Sequence, residues 1–337
     1  MSKKTWVGAV VGVVILIGIL WFASQKFGPP QQQHGTPRKE WPKVRIGYMP
    51  IAAELPLFVA VEEGFFDRAG IRYELIRVPS SNEMGNSATA DKIDILAGAA
   101  LNVVFDIGHV AAKKHLLFVL NPYSSAPGHI TDHLIVRKRL ALKNIVDLRG
   151  KRIAGLPGSV KVLIFLILEK HGLPRGSYEY VELLPKDWEP SLEAGAIDAV
   201  VALEPNATQI LKDGVGTSAL PGFYAELMPD LPISGHWVAA DYFKRADKSQ
   251  LAAFLDAYDN AIVFCRERQA QARRHLLKYA AVREDILAGV NLNPWKRQSE
   301  IDPNEIQRFI DLLARNGALQ GRALAQEYLL PSSKGKD

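Results

Sequence analysis

The chain has very little cysteine, with Cys265 alone among 337 residues. This count excludes an intramolecular disulfide, a zinc cluster built on thiolates and a Cys-x-x-Cys redox site. An excess of charge is also missing from most of the chain. Five of the 41 Lys and Arg residues lie in residues 1–39, which contain no Asp or Glu, so the other 36 balance the 36 acidic residues. A nucleic-acid-binding surface usually needs an excess of basic charge, so we expect no nucleic-acid partner.

Sequence motifs of common catalytic sites are missing too. The sequence has no Gly-x-Ser-x-Gly, no His-Glu-x-x-His and no Walker loop ending in Gly-Lys-Ser/Thr. His129 and His133 flank Asp132, but the following LIVRK is a strand pattern, which keeps the two imidazoles too far apart for one metal ion. We therefore predict no catalytic residue, no metal, no cofactor and no enzymatic activity.

The longest apolar run lies near the N-terminus and predicts a membrane segment. Residues 6–23, WVGAVVGVVILIGILWFA, carry no charge. As a helix they would span about 27 Å, close to the roughly 30 Å core of a bilayer. We expect residues 1–27 to be an uncleaved anchor that crosses the membrane through residues 5–25, with a cleaved signal peptide as the alternative. Residues 28–42, rich in Pro and Gln, predict a linker.

The rest of the chain alternates short apolar runs with helical patterns. The runs at 44–48 and 199–203 predict strands, and residues 55–63 and 159–171 predict helices. Strands that alternate with helices indicate parallel βαβ units and an α/β fold. The last third, 248–329, has mostly helical and amphipathic patterns.

Ligands of open α/β sheets bind beyond the carboxyl ends of the strands. This rule selects six segments as candidate site loops: Tyr48–Ala52, Pro79–Glu83, Ala97–Ala100, Asn121–Ser124, Leu156–Val160 and Leu203–Asn206. Aromatic residues that suit a small-molecule cleft fall in or near predicted loops. They are Tyr48, Tyr123, Trp188 and Trp237, with His236 beside them.

The segment Leu156–Lys161, LPGSVK, has the most specific local pattern. A strand runs into a Gly-Ser turn and then into a helix, so free backbone N–H groups can bind an anionic or polar ligand group. The alternative is that Ser159 only caps the helix. Glu204, at the end of a predicted strand, is a candidate acceptor for a ligand hydrogen bond, or alternatively a turn residue.

Several longer stretches resemble one protein family. Residues 54–66, ELPLFVAVEEGFF, and 69–75, AGIRYEL, are similar to the opening of ABC-transporter solute-binding proteins of the nitrate/sulfonate/taurine type, in the thiamine-pyrimidine-synthase-like superfamily. Residues 148–153, 192–199 and 301–310 continue the resemblance in the same order. It covers residues 44–330.

The resemblance implies a two-lobed periplasmic-binding-protein fold of type II, with the ligand in a cleft between the lobes. Lobe one would be residues 43–130 with 236–330, and lobe two residues 136–228. The partners would be an ABC permease and ATPase. With the anchor, the chain would be a single-pass protein of the bacterial inner membrane whose body faces the periplasm or the cell exterior.

The resemblance and the strand-end rule together give the predicted ligand contacts. They are Tyr48, Met49, Pro50, Ser80, Ser81, Ala97, Gly98, Tyr123, Gly158, Ser159, Val160, Glu204 and Trp237. The family implies a sulfonate-like anion. The site loops instead carry Glu54, Glu83, Glu204 and aromatic residues without an arginine, which suits a neutral or cationic heterocycle. Two other functions stay open, a tethered ligand sensor and an enzyme such as a pyrimidine synthase or a dehydratase.

Overall fold

A computed structural model describes residues 40–140, 142–280, 282–319 and 321–331. The predicted anchor and nearly all of the predicted linker lie outside these ranges. Within them, no helix is both long and apolar enough to cross a membrane. The fold described here belongs to the unit Trp41–Asp337.

Eleven strands are present in the described ranges. They are β1 Val44–Tyr48, β2 Tyr73–Arg77, β3 Ile95–Ala100, β4 Leu116–Tyr123, β5 Asp132–Arg137, β6 Arg152–Gly155, β7 Glu179–Glu182, β8 Ala199–Leu203, β9 Gly216–Pro221, β10 Leu231–Val238 and β11 Lys296–Arg297. The predicted strands at 44–48 and 199–203 are confirmed to the residue.

The α-helices lie between and after these strands. They are α1 Leu55–Glu62, α2 Phe65–Ala69, α3 Ser81–Thr89, α4 Leu101–Val110, α5 Lys161–Lys170, α6 Pro185–Glu193, α7 Asn206–Lys212, α8 Ala240–Arg245, α9 Lys248–Glu267, α10 Gln269–Arg274, α11 Leu276–Tyr279 and α12 Pro303–Arg315. The mostly helical last third is confirmed, apart from the short strand β11. The helix predicted at 159–171 begins two residues later, at Lys161.

The strands form two sheets. The first has six strands in the order β11-β4-β10-β3-β1-β2, and the second has five in the order β7-β6-β8-β5-β9. The βαβ prediction is confirmed in each sheet, since β1 is parallel to β2 and β3, and β6 is parallel to β7 and β8. Both sheets are nevertheless mixed, because β10 runs antiparallel to β3 and β4, and β5 runs antiparallel to β8 and β9.

Strand β10 corrects one expectation from the sequence. His236 and Trp237, expected in or near a loop, lie on this strand, and both are fully buried. The strand is paired on both edges, with β3 and β4, and all eight of its residues are buried, so its sequence, LPISGHWV, shows no alternation of apolar and polar residues. A central strand of this kind is hard to recognise from periodicity. Trp188 is also buried, within helix α6.

Capping residues explain where several helices begin. Ser80 precedes α3 and accepts a hydrogen bond from the backbone N–H of Glu83 at 3.2 Å. Asp302 precedes α12 and accepts from the N–H of Asn304 at 2.9 Å, with Pro303 as the first helical residue. A side-chain acceptor at this position satisfies an N–H that has no partner within the helix. The motif at 301–310 is therefore a helix start.

Candidate functional site

Loops from the two sheets meet at the carboxyl ends of their parallel strands. The backbone N–H of Ser159, after β6, donates to Asn82 Oδ1 at 3.0 Å, and Asn102 Nδ2 donates to the Ser159 carbonyl at 3.2 Å. The N–H of Ala52, after β1, donates to the carbonyl of Glu204, after β8, at 3.0 Å. We call this junction the inter-sheet site, formed by residues 48–54, 80–82, 97–102, 121–124, 131–132, 156–160 and 204. It includes parts of all six segments selected from the sequence, and Asn121–Ser124 joins the others through the hydrogen bond from Asn121 Nδ2 to the Ala53 carbonyl.

The Gly158–Ser159 turn lies against Asn82, across the junction. Gly158 has a φ of +91°, and a Cβ atom there would lie 2.1 Å from Asn82 Oδ1. The alternative that Ser159 caps the helix is wrong, because Val160 precedes α5 and no side chain caps it. The backbone N–H of Ser159 instead binds an amide oxygen from the other sheet. The Ser159 N–H therefore donates a hydrogen bond within the junction. Its donation to a ligand stays a prediction.

A substitution at Gly158 tests this close approach. Alanine should lower the free energy of unfolding by about 2–3 kcal/mol, since a left-handed backbone costs a non-glycine residue roughly 1–2 kcal/mol and Asn82 must also give up its hydrogen bond. Urea unfolding would measure the change. The control is Gly176→Ala, which has a φ of +81° but no atom within 4 Å of the new Cβ. Equal losses in the two variants would contradict the packing seen here.

Glu54 lies in a 3-10 turn, Ala52–Glu54, between β1 and α1. Its side chain is fully buried. Glu54 Oε1 accepts a hydrogen bond from the backbone N–H of Met49 at 3.2 Å, and Oε2 has no partner. Burial raises the pKa of this carboxyl well above its usual range, and the Met49 N–H offsets only part of that rise. Within the part of the chain that the structure describes, no cation forms an ion pair with Glu54.

Gly98 allows Glu54 to occupy this position. Its φ is +79°, and a Cβ atom there would lie 2.2 Å from Glu54 Oε1. The turn that carries Glu54 is held in place by two side chains that donate to the Ala53 carbonyl, Trp295 Nε1 at 2.8 Å and Asn121 Nδ2 at 3.5 Å. The carboxyl is therefore held rigidly by its neighbours.

A series of hydrogen-bonded, buried polar side chains contacts the Ala52–Glu54 turn through Asn121. His236 Nε2 lies 3.2 Å from Asn121 Nδ2, and His236 Nδ1 lies 2.6 Å from the Tyr258 hydroxyl. Burial lowers the pKa of His236 to about 3. The imidazole is therefore neutral near neutral pH and supplies no positive charge to Glu54.

Two more carboxyl groups are buried at the junction. Glu204 accepts hydrogen bonds from Thr208 Oγ1 at 2.6 Å, from the Thr208 N–H at 3.1 Å and from the Asn291 N–H at 3.3 Å. Asp132 accepts from the Tyr224 N–H at 2.7 Å through Oδ2, and its Oδ1 has no partner. Burial raises the pKa of each to about 7, and the charge of Glu204 adds to the rise for Asp132. The junction is therefore rich in acidic groups.

The predicted aromatic contacts are in different environments. Tyr123 is buried at the junction, where its ring makes an edge contact with Tyr224 at 5.7 Å. The ring of Tyr48 instead packs at 5.7 Å against Phe58 on α1. The indole of Trp237 is fully buried and donates to the Ala99 carbonyl at 3.1 Å. The roles of these three residues in ligand binding stay predictions.

The remaining predicted contacts lie around the same junction. Ser81 Oγ accepts from the Ala100 N–H at 3.0 Å and so joins α3 to the end of β3, while the hydroxyl of Ser80 caps α3. Met49, Ala97 and Val160 are buried, and Pro50 is half-buried. None of these contacts with a ligand is tested by the structure.

The structure places four residues at the junction that are missing from the predicted ligand contacts: Glu54, Asn82, Asn102 and Asp132. Asn82 lies within a segment that the strand-end rule selects, and Glu54 is one of the acidic residues of the site loops. In the sequence, Asp132 stands out only between two histidines. Asn102 has no sequence signal, because it lies in the first turn of a helix.

His129 Nδ1 lies 2.9 Å from the Leu292 carbonyl, and His133 Nδ1 lies 2.9 Å from Ser218 Oγ. The described residues contain no cluster of side chains suited to a metal ion.

Two mixed sheets in an α/β chain, with loops that meet between them, define the periplasmic-binding-protein class of fold. Solved structures share this fold. The alkanesulfonate-binding protein SsuA from Xanthomonas axonopodis pv. citri, bound to MOPS, matches 87% of this chain and 99% of its own, with a TM-score of 0.69 and 19% identity. A ligand-binding component of an ABC-type import system from Staphylococcus aureus, with zinc bound, matches 86% of this chain and 97% of its own, with a TM-score of 0.70 and 14% identity.

Sequence comparison assigns the family. A profile of the NMT1-like family matches residues 38–281, and the chain belongs to this family. A Haemophilus influenzae protein named for thiamine biosynthesis is 21% identical over 287 residues, which cover 81% of this chain and 86% of that protein. The resemblance that the motifs indicated is therefore confirmed.

Proposed function

We propose that this protein is the solute-binding component of an ABC importer and captures a small organic molecule at the inter-sheet site. The observation that carries the proposal is the meeting of loops from the carboxyl ends of both sheets, joined by the Asn82–Ser159 and Ala52–Glu204 hydrogen bonds. A ligand held between two such halves stabilises the closed arrangement through its differential affinity for it. The import system named for the Staphylococcus aureus relative supports the same role.

The two halves are proposed to be lobes. Residues 43–130 with 236–330 would form lobe one, and residues 136–228 would form lobe two. Strands β5 and β10 each begin a few residues before these boundaries, at Asp132 and Leu231. We propose that the chain crosses between the lobes in the residues that precede these two strands, because Asp132 already pairs with Leu203 of β8 and Leu231 with Tyr123 of β4.

We also propose that the protein is tethered to the bacterial inner membrane, with its body in the periplasm or outside the cell, beside a permease and ATPase. The uncharged residues 6–23 support this. Mass spectrometry of the protein isolated from membranes would test it. A mature N-terminus beyond residue 23 would show that the segment is cleaved.

Ligand screening by thermal shift tests the binding function. The full chain would be heated with sulfonates, nitrate, pyrimidines and amines. A ligand at a hundred times its dissociation constant adds about 2.7 kcal/mol to stability, so we expect one chemical class to raise the melting temperature by a few degrees. No shift with any of these classes would contradict the proposal.

An enzyme on the same fold is the second candidate, because the Haemophilus influenzae relative is named for thiamine biosynthesis. The NMR spectrum of a bound compound, followed over several hours, separates the two functions. A binding protein leaves the compound unchanged, whereas an enzyme converts it. Cys265 does not favour conversion, because it is fully buried in α9 and burial raises the pKa of its thiol well above the usual range.

A further inference from the structure

We propose that Glu54 selects the ligand of the inter-sheet site, and that it binds a nitrogen-borne hydrogen on a cationic or amino-substituted heterocycle. This inference rests on the proposed binding function and adds the chemical class of the ligand. It assigns a role to a residue that the predicted contacts did not include.

The first support is the unsatisfied oxygen of Glu54. The side chain is fully buried, yet it has one hydrogen bond, from the Met49 N–H at 3.2 Å, and Oε2 has none. Burying a polar group without a partner is unfavourable, and burying an unpaired charge is more so. A ligand that donates to Oε2 would remove this cost in the closed complex.

Asp94 and Glu204, two other buried carboxyl groups, are paired internally, whereas Asp132 has, like Glu54, one oxygen without a partner. Asp94, which is 2% exposed, contacts Arg45 at 2.7 Å and also pairs with Arg245. Glu204 accepts three hydrogen bonds from Thr208 and Asn291. Glu54 differs from Asp94 and Glu204, because one of its carboxyl oxygens has no hydrogen-bond partner.

The second support is the rigid placement of Glu54 at the strand ends. Gly98 passes directly beside the carboxyl group, and the Ala53 carbonyl is fixed by Trp295 and Asn121. Groups that are held in advance of binding lose little entropy when the ligand arrives. Such support would be unnecessary for a carboxyl that merely tolerates burial.

The charges around the junction favour the same class of ligand. Asp132 and Glu204 are acidic, and His236 is neutral because burial lowers its pKa to about 3. Arg273 lies near enough to Glu204 to lower its pKa slightly, but its Nε donates to the Val290 carbonyl at 2.8 Å. Each of these carboxyl groups can lose its proton and then attract a cation or an N–H group, whereas the neutral His236 offers an anion no positive charge.

The aromatic surroundings suit a ring. Tyr123 and Tyr224 meet edge to face at the junction, and Tyr180 donates to the Leu156 carbonyl at 2.9 Å beside the Gly158 turn. Burial, and to a lesser extent the charges of Asp132 and Glu54, raises the pKa of Tyr123, which therefore lies close enough to Glu54 to feel its charge. Tyrosine rings and Glu54 therefore lie at the same junction.

Two planar probes of opposite charge test the inference. Benzamidine and benzenesulfonate each carry one six-membered ring, and 4-aminopyrimidine adds a neutral N–H donor. Calorimetric titration of the full chain should show binding of benzamidine or 4-aminopyrimidine in preference to benzenesulfonate. Glu54→Gln should weaken that binding at least thirtyfold. The control is Glu74→Gln, an exposed glutamate on β2, and it should change the affinity less than twofold.

The pH dependence of binding is a second readout. Affinity for benzamidine should rise with pH, because Glu54 must lose its proton to pair with a cation, and the proton released should be detectable by titrating in buffers of different ionisation enthalpy. Asp132 and Glu204, whose pKa values burial raises to about 7, add to the rise, so the part that Glu54→Gln removes is the part due to Glu54. Falling affinity with rising pH would overturn the inference.

The remaining outcomes separate the inference from the proposed function. Preferred binding of benzenesulfonate that survives Glu54→Gln would overturn the inference and leave the binding function standing, since a glutamine amide can still donate to an anion. Failure of every cationic and amino probe at millimolar concentration would also overturn the inference. If sulfonates and nitrate failed as well, the binding function itself would be contradicted.

Discussion

Gly98→Ala should lower the free energy of unfolding by about 2–5 kcal/mol. The new Cβ atom would lie 2.2 Å from Glu54 Oε1 and 2.7 Å from Glu54 Cδ, and the carboxyl is fully buried. Overpacking of this kind costs roughly 1–3 kcal/mol, and the left-handed backbone, with its φ of +79°, adds about 1–2 kcal/mol for a non-glycine residue. Urea unfolding of the ligand-free protein would measure the loss.

Two further variants separate the clash from the backbone strain. Gly176→Ala has a similar φ of +81° but open space around the new Cβ, so it should cost only about 1–2 kcal/mol. Combining Gly98→Ala with Glu54→Ala removes the carboxyl that clashes, so the pair should be at least about 1–2 kcal/mol more stable than the sum of the single effects predicts. Additive effects would show that Gly98 and Glu54 are not in contact.

The stability of the protein should depend on pH through Asp132 and Glu204. Each has a pKa near 7 in the fold and near 4 when unfolded, so the folded state binds more protons between these values. Their contribution to stability is therefore fully present below about pH 4 and is lost as the pH rises through 7. Relative to Glu204→Gln, the wild type should lose about 2–3 kcal/mol of unfolding free energy between about pH 5 and about pH 8.5.

The comparison with variants is necessary because buried histidines act in the opposite direction. Burial lowers the pKa of His115 to about 4 and that of His236 to about 3, so the unfolded state binds their protons first and stability rises with pH up to about 6.5. Glu204→Gln and Asp132→Asn leave these histidines unchanged, and the difference between wild type and variant isolates each carboxyl. A difference that does not vary with pH would contradict the burial of the carboxyl in solution.

Much of the fold could be predicted because it depends on local patterns. VRIGY at 44–48 and AVVAL at 199–203 are short β-branched and apolar runs between turn residues, and both are strands in the structure. The helix start at Asp302 and Pro303 follows from capping chemistry within four residues. Strand β10 could not be predicted in this way, because burial on both faces removes the alternation by which a strand is recognised.

The candidate site was predictable in its segments but not in its chemistry. The strand-end rule requires only the order of strands and helices, and it selected the loops around Tyr48, Asn82 and Ser159. It could not show that the Ser159 N–H binds Asn82, because the two residues lie 77 positions apart in the chain. Nor could it separate the roles of Tyr48 and Tyr123, since both end a strand and only packing decides which ring lies at the junction.

Periodicity, composition and short motifs are enough to show that the chain is an α/β protein, where its candidate site loops lie and which family it resembles. The burial of Glu54 without a counter-charge, the close approach of Gly98 to it, and the shared junction of Asp132 and Glu204 are visible only in the folded chain. Burial and the distances between charges depend on residues far apart in the chain. They set the pKa of each carboxyl and therefore the ligand chemistry proposed for this site.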